Sequence, residues 1–202
     1  MAEVKTTEEY DGTNWSNGGT ASSVGGEFAG LAGSQADAMA VGGYVGAYHG
    51  NSESYNGTNN TWSSEAPFPS SLNQHAGSAI ASGQADYMIA GSTGDSTDKN
   101  GIYSYDGSSW TAENNLPADR YVGCANGTTG DFLMSQGQNS SRQADSVLMS
   151  IGGSPETGPS VSSGRYSPTN SVACSGSANG VVFGGGTGSA NSAGTNQIQE
   201  FD

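Results

Sequence analysis

Residues 9–15 read EYDGTNW, residues 54–62 read SYNGTNNTW and residues 104–110 read SYDGSSW. Each stretch has an aromatic residue, then Asp or Asn, then Gly, then a polar turn into Trp. Asp-Gly and Asn-Gly are hairpin turn pairs, because both residues tolerate the positive φ that a tight type I′ turn demands. The sequence therefore predicts strand, turn, strand at all three places. Tyr10, Tyr55 and Tyr105 fall on the first strand of each hairpin, and Trp15, Trp62 and Trp110 on the second.

A second ladder runs between these hairpins: QADAMAVGG from residue 35, QADYMIAGS from 84, TGDFLMSQG from 129 and SANGVVFGG from 177. Its anchors, Asp37, Asp86, Asp131 and Asn179, are 49, 45 and 48 residues apart. A period near 47 marks a repeat architecture and lies in the range of propeller blades. Two residues past each anchor stands Met39, Met88, Leu133 or Val181, a recurrent large apolar position that is expected to be core. Upstream of each anchor lies a run of small residues: AGLAG, SAIAS, GCAN and SVACS. Each repeat thus reads as four short strands, the small-residue run, the anchor strand, the Tyr strand and the Trp strand, and four antiparallel strands at this period describe a propeller blade. The expectation is an all-β protein, one domain over residues 1–202, forming a propeller or an open array of about four blades. The recurrent Tyr and Trp residues are expected to be blade core, with Trp15, Trp62 and Trp110 buried at equivalent places.

The paired glycines after an apolar strand (Gly42-Gly43 and Gly184-Gly185), the later Tyr55 and Tyr105, and Trp62 and Trp110 beyond them resemble the kelch motif. The resemblance covers nearly the whole chain and is uneven: Gly91 is followed by Ser92, and the third repeat has no Trp. The form YDGTNW within Gly-, Ala-, Ser- and Thr-rich repeats is similar to kelch-like repeats of structural proteins of marine bacteriophages. That resemblance implies a non-enzymatic structural or adhesion component of a virion, such as a tail fibre, tail appendage or capsid decoration. It implies other virion proteins as partners, and repeated copies of the chain side by side.

Composition bears on the same question. Apolar residues make up 33%, and 33 glycines supply the small-residue remainder of a core. Disorder is the rival reading of so much Gly, Ser, Asn and Thr, and the repeats argue against it. The formal charge is −14, with five Lys and Arg in all, so a phosphate backbone would be repelled and nucleic acid is not an expected partner. An acidic surface with few cations suits a crowded particle and an extracellular or virion location. The N-terminal MAEVKTTEEYDG has no basic segment followed by an apolar run, and no stretch reaches the length of a membrane helix, so neither a secretory signal nor membrane insertion is expected.

Kelch propellers include copper oxidases, yet His49 and His75 are the only histidines and no complete ligand set accompanies them. Asp95, Asp98 and Asn100 lie in an oxygen-rich loop without calcium-loop spacing. Cys124 and Cys174 read as free thiols, because a bridge requires Cα atoms within roughly 4.4–6.8 Å. Sequons at Asn14, Asn56, Asn59, Asn126 and Asn139 follow from composition. No catalytic site, cofactor or metal is expected. Tyr44, Tyr48, Phe68 and Tyr121 do not recur at the repeat period, which makes them the candidates for contacting a host-surface glycan or partner.

One duplication leaves the closure of the array open. QEFD at residues 199–202 copies EEYD at residues 8–11, so one strand of the repeat is present twice. The N-terminal hairpin has three options: it completes the last repeat of its own chain, it completes that of a neighbouring chain, or the array is part of a longer one.

Overall fold

The computed structural model describes residues 5–26, 30–44, 46–71, 76–78, 87–90, 100–120, 124–128, 130–135, 137, 141, 143–162, 169–171, 181–183 and 198–200. Among these the chain is all-β, without a helix. A two-stranded hairpin, β1 (Thr6–Tyr10) and β2 (Trp15–Thr20), comes first. A short parallel pair follows, β3 (Gly25–Gly26) with β6 (Gly43–Tyr44).

Three four-stranded antiparallel sheets and a three-stranded one make up the rest. The first repeat comprises β4 (Gly30–Gly33), β5 (Asp37–Val41), β7 (Ser52–Asn56) and β8 (Thr61–Ser64). In the second are β9 (Ala76–Ser78), β10 (Tyr87–Ala90), β11 (Ile102–Tyr105) and β12 (Trp110–Ala112). The third contains β13 (Cys124–Thr128), β14 (Asp131–Ser135), β15 (Ser146–Met149) and β16 (Glu156–Gly158). A fourth holds β17 (Thr169–Ser171), β18 (Val181–Phe183) and β19 (Ile198–Glu200). In each sheet the strands lie side by side in chain order. The first strands β4, β9, β13 and β17 touch one another in succession.

Register shows that these sheets are copies. The residue two past each anchor always faces the same position of the third strand: Met39 opposite Ser54, Met88 opposite Ser104, Leu133 opposite Leu148 and Val181 opposite Glu200. Met39 and Leu133 are buried. Met88 and Val181 hold the same register, and their side chains lie outside the described set. The third repeat forms its fourth strand without a Trp, pairing Val147 with Thr157.

A backbone hydrogen bond closes the hairpin and the three four-stranded repeats in the same way. The amide six residues past the Trp position donates to the carbonyl five residues before the Tyr position: Ala21 to Lys5 (2.9 Å), Phe68 to Gly50 (2.7 Å), Leu116 to Asn100 (2.7 Å) and Val161 to Ala144 (2.8 Å). All four donors have buried side chains, so these bonds are shielded from water. The hairpin β1–β2 obeys the rule as well, and is therefore the second half of a repeat.

The cores lie between successive units. Ala21 and Val24 pack with Ala40 and the edge of Trp62. Met39, Val41 and Phe68 pack with Tyr105, Tyr103 and Trp110 of the next repeat. Ile102 and Leu116 pack with Phe132, Met134, Val147 and Met149 of the third. Alternation along a strand sends Ala40 backward to the hairpin and Met39 and Val41 forward to the second repeat.

Two expectations need correction here. The hairpin loops are not two-residue turns with both central residues at positive φ. Tyr10 pairs with Trp15 and Tyr105 with Trp110, so four residues lie between, and Gly12 (φ 96) and Gly107 (φ 93) alone in those loops take positive φ. Asp acts through its carboxylate instead: Asp11 Oδ1 accepts from the amides of Thr13 and Asn14, both at 2.7 Å, and Asp106 Oδ1 from those of Ser108 and Ser109, both at 2.8 Å. These bonds hold the Asp11 carboxyl below its usual pKa and lower that of Asp106 to about 2. The second correction concerns the tryptophans: Trp62 and Trp110 are half-buried rather than buried, and Trp15 is 68% exposed, because among the described residues no further sheet covers it.

Candidate functional site

The seams between units carry most of the described long-range polar contacts, and the first seam opens into a cleft. Its construction starts from the pairing of Tyr with Trp across the hairpin. Tyr10 and Trp15, Tyr55 and Trp62, and Tyr105 and Trp110 have ring centroids 5.1, 5.0 and 5.0 Å apart, tilted by 36°, 41° and 40°. In the first and second repeats each phenol then reaches back to the preceding unit. Tyr55 donates to Glu9 Oε1 (2.7 Å) and to the Gly18 carbonyl (2.8 Å). Tyr105 donates to Glu65 Oε2 (3.0 Å).

These are one latch in two versions. Gly18 and Glu65 both stand three residues past their Trp, and Glu9 and Ser54 both stand one before their Tyr. In the hairpin the carboxylate is Glu9 on β1, paired with Ser16, and Gly18 takes the place that Glu65 holds in the first repeat. In the first repeat it sits on the segment after the fourth strand, where Glu65 Oε1 also accepts from Ser54 Oγ at 2.6 Å. A Cβ at Gly18 would collide with the Tyr55 hydroxyl, which is why the swap needs glycine there. The next seam repeats the theme: Glu113 accepts from Ser104 Oγ (2.6 Å) and from the Gly152 amide (3.0 Å), a backbone donor standing in because the repeat carries Met149 in place of Tyr. The indoles are tied too, Trp62 Nε1 to Thr7 Oγ1 (2.8 Å) and Trp110 Nε1 to the Ala66 carbonyl (3.0 Å).

Burial, reinforced by the neighbouring carboxylates Glu9 and Glu65, pushes the Tyr55 and Tyr105 hydroxyls up to about 12. Both folded values lie above the ordinary 10.0, so the latches stabilise the protein fully below pH 10 and weaken as pH rises toward 12. A Tyr55→Phe, Tyr105→Phe chain is expected to lose ~1.5–3 kcal/mol per latch at neutral pH, each latch being a hydrogen bond to a charged acceptor. Its stability is also expected to fall less between pH 10 and 12 than that of the parent, which chemical denaturation across that window would measure.

Glu53 anchors the segment joining the hairpin to the first repeat. Its buried carboxylate accepts from Ser22 N (2.9 Å), Ser22 Oγ (2.7 Å), Ser23 N (2.9 Å) and Val24 N (2.8 Å). Burial raises the pKa of this carboxyl, and the bonds from Val24, Ser22 and Ser23 together outweigh it, leaving the group below its usual 4.5. A lowered carboxylate stabilises fully above pH 4.5 and loses that contribution as pH falls through the folded value. Glu53→Gln is expected to cost ~1–3 kcal/mol at neutral pH, the scale of bonds to a charged acceptor, and to flatten the acid side of the stability profile. Urea unfolding from pH 7 downward reads both.

The cleft of ≈ 460 Å³ lies beside β1, with Glu9 and Tyr10 on one wall and Ser34, Gln35, Ala38 and Tyr55 on the other. Sequence reasoning did not find it. The signal available was that the hairpin at residues 9–15 matches the second half of a repeat.

The candidate contact residues are dispersed. Tyr44 and Tyr48 form an isolated antiparallel bridge, their rings 4.9 Å apart edge to face, and Tyr44 is 38% exposed. Phe68 is 3% exposed, with Tyr103 and Trp110 rings at 4.7 and 5.0 Å, so it is core and presents nothing to a ligand. Tyr121, His75, Cys174, Asp95 and Asp98 lie outside the described residues. His49 lies half-buried after β6, its amide donating to the Gly43 carbonyl at 3.3 Å. Among the described residues no group of three His, Cys, Asp or Glu side chains comes together as a metal set.

Compared with known proteins, the chain matches no family model, and no curated protein matches it.

Proposed function

We propose that this chain is a non-enzymatic structural and adhesion subunit of a bacteriophage particle, an open array of kelch-like propeller blades that serves as a rigid acidic spacer. The observation that carries the reading is the recurring seam, in which Tyr, Trp and carboxylate side chains lock the first and second repeats to the unit before, and Glu113 with the Gly152 amide ties the third. Polar groups committed to such latches stiffen a scaffold. The particle assignment draws on the YDGTNW-type repeats and the net charge of −14, which suits identical subunits crowded on a surface. Mass spectrometry of purified particles from infected cultures tests it. Detection at stoichiometric abundance supports the proposal, and recovery only from soluble extract of uninfected cells contradicts it.

A second reading, binding of a surface glycan, is favoured by the Tyr44–Tyr48 pair, an edge-to-face aromatic platform with an exposed ring. Retention on a glycan array that is lost with Tyr44→Ala would support it.

A further inference from the structure

Among the described residues β1 has one ladder partner, β2. In every other unit the edge of the third strand that β1 leaves open is held by a second strand: β5 on β7, β10 on β11, β14 on β15 and β18 on β19. The difference shows in exposure, since Tyr10 is 48% exposed where Tyr55 is 3% and Tyr105 is 2%. At the seam after the first repeat, the place corresponding to the cleft is filled by Met39 and Val41 of β5, packed on Tyr105. The vacancy therefore has the shape of a second strand with a large apolar residue two past its anchor.

The chain contains such a strand whose partner it carries twice. β18 pairs with β19, Val181 opposite Glu200 and Val182 opposite Gln199. In the repeat, EEYD of β1 and its turn stands where QEFD stands, so Glu9 corresponds to Glu200 and Glu8 to Gln199. The hairpin is held on the first repeat by Tyr55 and Trp62, with its open edge turned to the cleft.

We propose that the cleft beside β1 is an interface that takes β18 of a second copy of this chain, the hairpin β1–β2 replacing that copy's β19. Val181 then faces Glu9, Val182 faces Glu8, and the three-stranded sheet becomes a four-stranded one, β17–β18–β1–β2. The exchange surrenders a three-residue ladder and gains a fourth strand plus burial of the Tyr10–Trp15 pair. It joins copies head to tail, and it stands independently of the particle in which the protein works.

The test uses two full-length chains in a Cys124→Ser, Cys174→Ser background, one with Glu8→Cys and the other with Val182→Cys. Mixed at high concentration and oxidised, they are expected to yield a disulfide-linked dimer several-fold above either chain alone. Absence of that dimer contradicts the proposal, and so does a chain carrying both cysteines that cross-links only within itself, which would mean that β18 of the same chain fills the cleft. Light scattering of the unaltered chain is the second readout. Association that rises with concentration and is lost in Trp15→Glu is expected, whereas a monomer at every concentration overturns the interface.

Discussion

Truncating Phe68 to alanine is expected to destabilise the folded protein by ~3–5 kcal/mol, whereas Trp15→Ala in the dilute monomer is expected to cost no more than ~1 kcal/mol. Phe68 is sealed between the first two repeats, in edge-to-face contact with Tyr103 and Trp110 and beside Met39. Its amide makes the bond to Gly50 that closes the first repeat, so a cavity there loosens the closure as well as the seam. Trp15 lies against Tyr10 and is 68% exposed. The ordering inverts what size and sequence recurrence suggest, since a repeated tryptophan is the usual candidate for the larger loss. Denaturant unfolding of the two variants at low protein concentration decides it. Equal losses would mean that the hairpin is covered in the monomer.

The second large effect concerns Arg120, one of the few cations in the chain and the largest fully buried side chain among those described. Its Nη2 meets Asp145 Oδ2 at 2.6 Å and its Nη1 donates to the Asp145 carbonyl at 3.0 Å, which ties the segment after the second repeat to the residue just before β15. Arg120→Ala removes two bonds from a charged donor and leaves a void, and is expected to cost ~2–4 kcal/mol. Asp145 is 38% exposed and regains water when the guanidinium is removed, which keeps the figure below that of a fully buried pair. Arg120→Met, which preserves the stem's packing, is expected to recover about half of the loss. A thermal shift series across Arg120, Met and Ala reads the split between packing and charge.

The hairpins and their period were legible in the sequence because turn chemistry and aromatic residues recur together, as at Tyr55-Asn56-Gly57 and Tyr105-Asp106-Gly107. The mechanism of the turns was not legible. Asp and Asn suit both a positive-φ turn and a side-chain cap, and sequence does not separate the two; the longer loops select the cap. That Phe68 is core and not a contact residue was hidden for a related reason. Its equivalents are Ala21, Leu116 and Val161, four residues of different size, so the position recurs in backbone bonding while its chemistry varies. The latches were hidden by compensation: Glu9 with Gly18 does the work of Ser54 with Glu65, and a position-by-position comparison sees only mismatches. Trp15 was recognised as part of the repeat, but its burial depends on a strand that the hairpin does not contain.

Native-state hydrogen exchange at the closing amides measures the central claim, that hairpin and repeats are copies of one unit stacked through equivalent seams. The amides of Phe68, Leu116 and Val161 are each bonded under a buried side chain, and are expected to exchange together at the slow end of the protein, with Ala21 faster because its sheet has two strands among the described residues. Rapid exchange at Phe68, Leu116 and Val161, close to that of an unstructured chain, would contradict the repeat.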